Sequence, residues 1–128
     1  MAENAIGSQR KGRQNMVSQQ DRVSEFRAAH AKGKILVLPN AWDAASARLV
    51  QDAGAKAVAT SSAAVAWSNG CADGEGMSRE VAIAATREVL RVVNLPGGGD
   101  SEAGYSSDQG QVEEHCLRLI DIGVAGLN

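Results

Sequence analysis

Aromatic residues are scarce in this 128-residue chain: two Trp, one Tyr and one Phe make up 3% of it. That argues against a stacking platform for nucleic-acid bases, which needs several exposed rings. Basic charge is in no surplus either, since 13 Lys and Arg face 15 Asp and Glu for a formal net charge of -2. Such a balance gives no general attraction to phosphate backbones or anionic membranes, so neither nucleic acid nor membrane is expected as a partner. Cysteine is limited to Cys71 and Cys116, whose spacing suits neither a metal site nor a redox pair and points to a reduced, cytoplasmic setting. No apolar run is long enough to span a bilayer. The opening "MAENAIGSQRKGRQN" lacks the apolar core of a signal peptide, and residues 1–17 read as a disordered polar leader, with Met16 as an alternative start.

What is present is a 44% hydrophobic composition, enough to build a core without disulfides in a domain of this size. Elements alternate regularly along it. "DRVSEFRAAHAKGK" places Val23, Phe26 and Ala29 or His30 on one helical face, with Gly33 as a stop. "ILVLP" is a continuously apolar run, as expected of a strand covered on both sides. A helix capped by Asp43 and ended by Gly54 follows, then a second buried strand, "AVATSS". Residues 63–77 read as a loop, Ser78 caps a helix running to Val93, and Pro96 lies beyond its end. "DQGQVEEHCLRLIDIGVAGLN" supplies a last helix stopped by Gly123 and the start of a fourth strand. Strict alternation with short connections predicts an α/β fold with a parallel sheet and right-handed crossovers. The candidates are an open doubly wound sheet and part of a (β/α)₈ barrel, which needs about 250 residues when complete.

In such folds the working residues gather at the carboxyl ends of the strands. Three segments of this chain fall there: "PNAWDA", "TSSAAVAWSNGCADGEG" and "GDSEAGY". The third follows three consecutive glycines, which invites a phosphate-cradle reading. A P-loop needs a lysine to reach the terminal phosphates, whereas Tyr105 stands in that place. The dinucleotide pattern also fails, because Gly97 and Gly99 are followed by Glu102. Asp100 and Glu102 are either the two carboxylates of a lip for a hard cation such as Mg²⁺ or Mn²⁺ or solvated loop residues. The small residues after the second strand offer backbone N–H groups to a carboxylate, or merely continue a strand into a turn. Asp73 and Glu75 sit in an acidic loop or an ordinary solvated turn, and Asp43 is most simply a helix cap. His30, near a helix end, and His115, on a surface helix, have no partners at ligand spacing and are expected to be structural. Cys116 is expected in the core, and Cys71 on a loop.

Taken together, "LVLPNAWDAASARLVQDAGAKAVATSSAAVAWSNGCADGEG" and "DSEAGY" resemble the isocitrate lyase / phosphoenolpyruvate mutase superfamily over about Phe26 to Asn128, nearest in flavour to its phosphonomutase and 2-methylisocitrate lyase branch. The resemblance implies a (β/α)₈ barrel of which residues 18–128 form the N-terminal half, about four βα units. It implies Mg²⁺ (or Mn²⁺) and a small carboxylate substrate, a 2-oxo acid or enolate, at which a C–C or P–C bond is made or broken. By resemblance Ser61, Ser62 and Ala63 grip the substrate carboxylate, and Asp73 is the acidic residue of the active-site loop. Asp100 is the principal metal-site carboxylate and Glu102 its neighbour. Asn40, Trp42 and Asp43 fall in the first strand's loop, where Trp42 is carried as a substrate-side position. Full-length relatives are expected to be homo-oligomers, and this chain alone is expected to be inactive.

Two departures from the family pattern stand out. Gly97, Gly98 and Gly99 replace apolar strand residues, an expected loss on the order of 0.5–1 kcal/mol per position from backbone entropy alone. By resemblance, the family's later site residues are expected beyond Asn128 and so outside these 128 residues. A non-catalytic α/β module that associates through an open sheet edge is the alternative reading.

Overall fold

The computed structural model describes residues 17–33 and 35–128; apart from Val17, the expected leader lies outside the described residues. Four strands, β1 (Asn40–Ala41), β2 (Val58–Thr60), β3 (Gly97–Gly99) and β4 (Gly126–Leu127), pair in parallel in the order β1-β2-β3-β4. Between them run α2 (Ala44–Asp52), α3 (Ser62–Ser68), α4 (Arg79–Arg91) and α5 (Gln109–Asp121), with α1 (Gln19–Ala29) ahead of the sheet. The expected strand-helix alternation is therefore present.

Local chemistry sets the helix boundaries. Asp43 caps α2 reciprocally with Ser46, its Oδ1 accepting from the Ser46 N–H at 2.7 Å. Those contacts, the backbone N–H first and the hydroxyl second, lower the Asp43 pKa. Ser78 caps α4 and Asp108 caps α5 by one-way contacts, each side chain accepting from the N–H three residues on. Gly54 and Gly123 follow α2 and α5 at φ 89° and 101°, a left-handed turn that a side chain would resist.

Register then sorts side chains between two faces. Asn40, Ala59, Gly98 and Gly126 lie abreast in one row across the sheet. On the opposite face Ala41 and Val58 pack with Ala47, Val89 and Val93, and a second cluster joins Ile83, Leu90, Leu119 and Val124. With α2, α4 and α5 all contributing to those clusters, the helices cover one face of the sheet. The other face is approached by α1. Its Gln19 amide donates to the Val124 carbonyl at 2.8 Å, and a Cβ at Gly126 would lie 2.6 Å from the Phe26 ring. No residue of α1 is fully buried, but Val23, Phe26 and Ala29 of its expected apolar face are each half-buried.

Three expectations fail here. "ILVLP" is no buried strand: residues 35–39 lie outside any ladder, and Ile35 and Val37 are 96% and 74% exposed. β1 is an edge strand, so this run lacks the second neighbour that would bury it. Residues 63–77 are not all loop, because α3 begins at Ser62, capped by Ser61. His115 is not a surface residue but 1% exposed.

The triple glycine is also better accommodated than its composition suggests. A Cβ at Gly97 would collide with Leu90 Cδ2, and one at Gly99 would press on Leu127 at 3.2 Å and Val124 at 3.4 Å. Neighbouring side chains thus occupy the space that branched strand residues would fill. We predict that Gly97→Ala destabilises the fold by about 1–3 kcal/mol through overpacking, measured by urea denaturation. Leu90→Ala should then cost less in that background than alone. A Gly97→Ala variant more stable than the parent would contradict the prediction.

Candidate functional site

The carboxyl ends of the strands meet at a cavity of about 290 Å³ whose lining includes Asn40, Thr60, Ser61, Asp100 and Asn128, with Phe26 and His30 of α1 closing one side. The parallel register requires this convergence: every strand ends on the same edge of the sheet.

Asp100 is the most connected side chain at that edge. Its Oδ2 accepts from the Ser62 backbone N–H at 2.8 Å and from the Ser62 hydroxyl at 2.7 Å. Its Oδ1 accepts from the Glu102 N–H at 3.3 Å, and its own N–H donates to Thr60 Oγ1 at 3.0 Å. One aspartate therefore ties the end of β3 to the turn between β2 and α3. This changes the expected part of Ser62, whose two donors are spent on Asp100 rather than left open to a ligand. Ser61 lines the cavity while its hydroxyl accepts from the Ala64 N–H at 3.4 Å.

The loop that follows is strained. Glu102 and Tyr105 adopt φ values of 52° and 57°, each costing an L-residue about 1–2 kcal/mol. The Tyr105 N–H donates to Glu75 Oε1 at 2.8 Å, and its ring packs beside Val65, Met77 and Ala82. Burial raises the Tyr105 phenol pKa, and the carboxylates of Glu102, Glu75, Asp100 and Asp73 push it further in that direction. All four acids thus act on one region, which makes it electronegative.

The expected site residues divide. Ser61, Ser62 and Asp100 come together. Ala63 is half-buried in α3 and Trp42 is 43% exposed, and neither lines the cavity. Glu102 touches the site through its N–H on Asp100 Oδ1, and Asp73 lies on an exposed turn; neither lines the cavity. Thr60, Tyr105 and Glu75 escape a reading by motif, since their roles come from backbone contacts across 30 or 40 positions. Among the described residues no group of three or more His, Cys, Asp and Glu stands ready to hold a metal.

This arrangement can be set beside known proteins. The phosphoenolpyruvate phosphomutase family model matches residues 26–128. The chain belongs to the phosphoenolpyruvate phosphomutase family. An uncharacterized protein of Mycobacterium tuberculosis is 33% identical over 102 residues, 77% of this chain and 38% of its own length. A candidate phosphonomutase from Burkholderia cenocepacia J2315 superposes with a TM-score of 0.82 at 41% identity, covering 84% of this chain and 44% of that one. Phosphonopyruvate hydrolase in complex with oxalate and Mg²⁺ shares the fold at a TM-score of 0.77 and 19% identity, over 83% and 37% of the two chains. This family member therefore spans well under half the length of those relatives. Its four-stranded parallel sheet is part of the (β/α)₈ barrel of the superfamily.

The Asp100–Ser62 tie predicts a stability effect separable from any ligand. Ser62→Ala removes a hydrogen bond to a charged, half-buried acceptor and should cost about 1.5–3 kcal/mol in urea denaturation. An unchanged midpoint would show that the tie carries no load.

Proposed function

We propose that the chain carries the carboxylate-binding part of a Mg²⁺-dependent lyase or phosphonomutase site, acting on 2-oxo acids or enolate-type carboxylates. The observation that carries this reading is the meeting of Asp100 with Ser61 and Ser62 at the mouth of one cavity. The oxalate and Mg²⁺ in phosphonopyruvate hydrolase support the same ligand class.

The residues present fit a hard cation. Asp100 supplies oxygen donors in an electronegative surrounding, and Mg²⁺ is commonly held by one or two carboxylates plus waters. Asp100 would hold the ion, with Glu102 nearby as the second carboxylate. Bound there, the metal would draw charge from an oxygen on which enolate negative charge develops.

The chain's own residues do the positioning. Ser62 and Thr60 fix the Asp100 carboxylate and backbone, so that it meets a ligand without rearranging. Ser61 and Asn40 present polar groups to the substrate side of the cavity. Asp73, Ala63 and Trp42 stay as family-derived proposals, Asp73 as the reacting acid of its loop. The two free cysteines suit a reducing compartment. We take these 128 residues on their own to bind ligand without turning it over.

Calorimetric titration with oxalate tests the reading. Binding should require Mg²⁺ and should weaken at least tenfold in Asp100→Asn. Metal-independent binding, or equal binding by the variant, would contradict it.

The exposure of Ile35 and Val37 beside β1 favours one other reading, association through that sheet edge. Size-exclusion chromatography separates the two: a stable oligomer with no Mg²⁺-dependent oxalate binding would support the edge-associating module instead.

A further inference from the structure

His115 is an anomaly in the packing. It is 1% exposed, and neither ring nitrogen has a hydrogen-bond partner among the described residues. Buried polar groups are ordinarily paired, so an orphan of this kind calls for an explanation. Its ring meets that of Tyr105 edge to face, with centroids 5.3 Å apart.

The surroundings of the ring disfavour an imidazolium. From α4 come Arg79 and Glu80, from α5 Glu114 and Arg118, and from the 69–77 turn Glu75. Glu80 is paired with both Arg118 guanidinium nitrogens. Arg79 faces Glu114 at 3.8 Å and donates to the Gln111 carbonyl at 3.2 Å. Glu75 already accepts from the Tyr105 N–H. Burial first, then Arg79 and Arg118, lower the His115 pKa, against weaker opposing pulls from Glu75 and Glu80.

The neutral ring therefore supports a loop that would otherwise relax. Residues 100–105 hold two non-glycine left-handed conformations, and at their outer end Tyr105 sets its ring against His115 and its N–H on Glu75, beside further packing on Val65, Met77 and Ala82.

We propose that His115 is a positioning residue and an acid-released latch, which holds Tyr105 and the Asp100–Tyr105 loop in place while neutral and frees them once it is protonated. The closed state binds fewer protons than the open one. Its advantage is full above the ordinary histidine value of 6.5 and is lost as pH falls below it. The consequence for a metal or carboxylate rests on the proposed function; the latch does not.

Amide hydrogen exchange of the 128-residue chain at pH 7.5 and 5.5, corrected for intrinsic rates, tests this without ligand. Acidification should raise opening of residues 101–106 at least tenfold while leaving α2 and β2 unchanged. His115→Phe, which keeps a ring against Tyr105 and cannot charge, should abolish the response, whereas Glu75→Gln should keep it. A loop indifferent to pH would overturn the latch, as would a response that persists in His115→Phe or disappears in Glu75→Gln. Should His115→Phe fail to fold, the wild-type His115 ring signals decide by NMR. Their titration midpoint must lie below 6.5 and coincide with that of loop opening, and separate midpoints would overturn the proposal. A loop still protected at pH 5.5 would overturn the latch whatever happens to oxalate affinity, whereas absence of Mg²⁺-dependent oxalate binding at pH 7.5 would count against the site reading and leave the latch untouched.

Discussion

The carboxylate of Asp100, bonded to the N–H and hydroxyl of Ser62 while its own N–H reaches Thr60, is the interaction on which the site depends. β3 has no side chains of its own, and glycine-rich strands specify their register weakly. Pairing with β2 and β4 supplies the ladder, but a ladder of identical glycines would serve equally well one residue out. Asp100 removes that freedom because only one register lets it meet both Thr60 and Ser62. Leu90 and Phe26, filling the space above Gly97 and Gly98, reinforce the same choice from the two faces.

That constraint links stability to chemistry. A carboxylate held by two donors is stable without a cation, so the lip is formed before any ligand arrives. The same donors would compete with a cation for the oxygens, weakening its hold while keeping the geometry fixed. Strain at Glu102 and Tyr105 is the accompanying cost, and it is offset on the far side of the loop by the Tyr105 ring packing on His115, Val65, Met77 and Ala82. The acidic lip and Tyr105, whose ring rests on the buried His115, are thus two ends of one short segment.

Much of the fold was legible in the sequence because its signals are local. Asp43, Ser78 and Asp108 cap helices through their own next turn, and Gly54 and Gly123 end them by conformation alone. Ile35 to Pro39 misled because an apolar run reports the burial a strand has with two neighbours, and β1 has one. α3 escaped notice because "SAAVAWS" has the small residues of a loop; its start depends on Ser61 and on Asp100, 38 positions away. His115 looked superficial on a polar helix, yet its face of α5 is closed by Tyr105 and Arg79 from other elements. In the site, Asp100 and the serines were legible through family likeness. Thr60 and Glu75 were not, since they act through single backbone contacts that leave no spacing in the chain.

A crystal structure of this chain grown with Mg²⁺ and oxalate tests the central claim most directly. The account predicts an octahedral ion about 2.0–2.1 Å from an Asp100 carboxylate oxygen, with oxalate in the cavity beside Ser61. An ion held by the exposed carboxylates of Asp73 or Glu75, with the Asp100–Ser62 pair untouched and the cavity empty of oxalate, would contradict it.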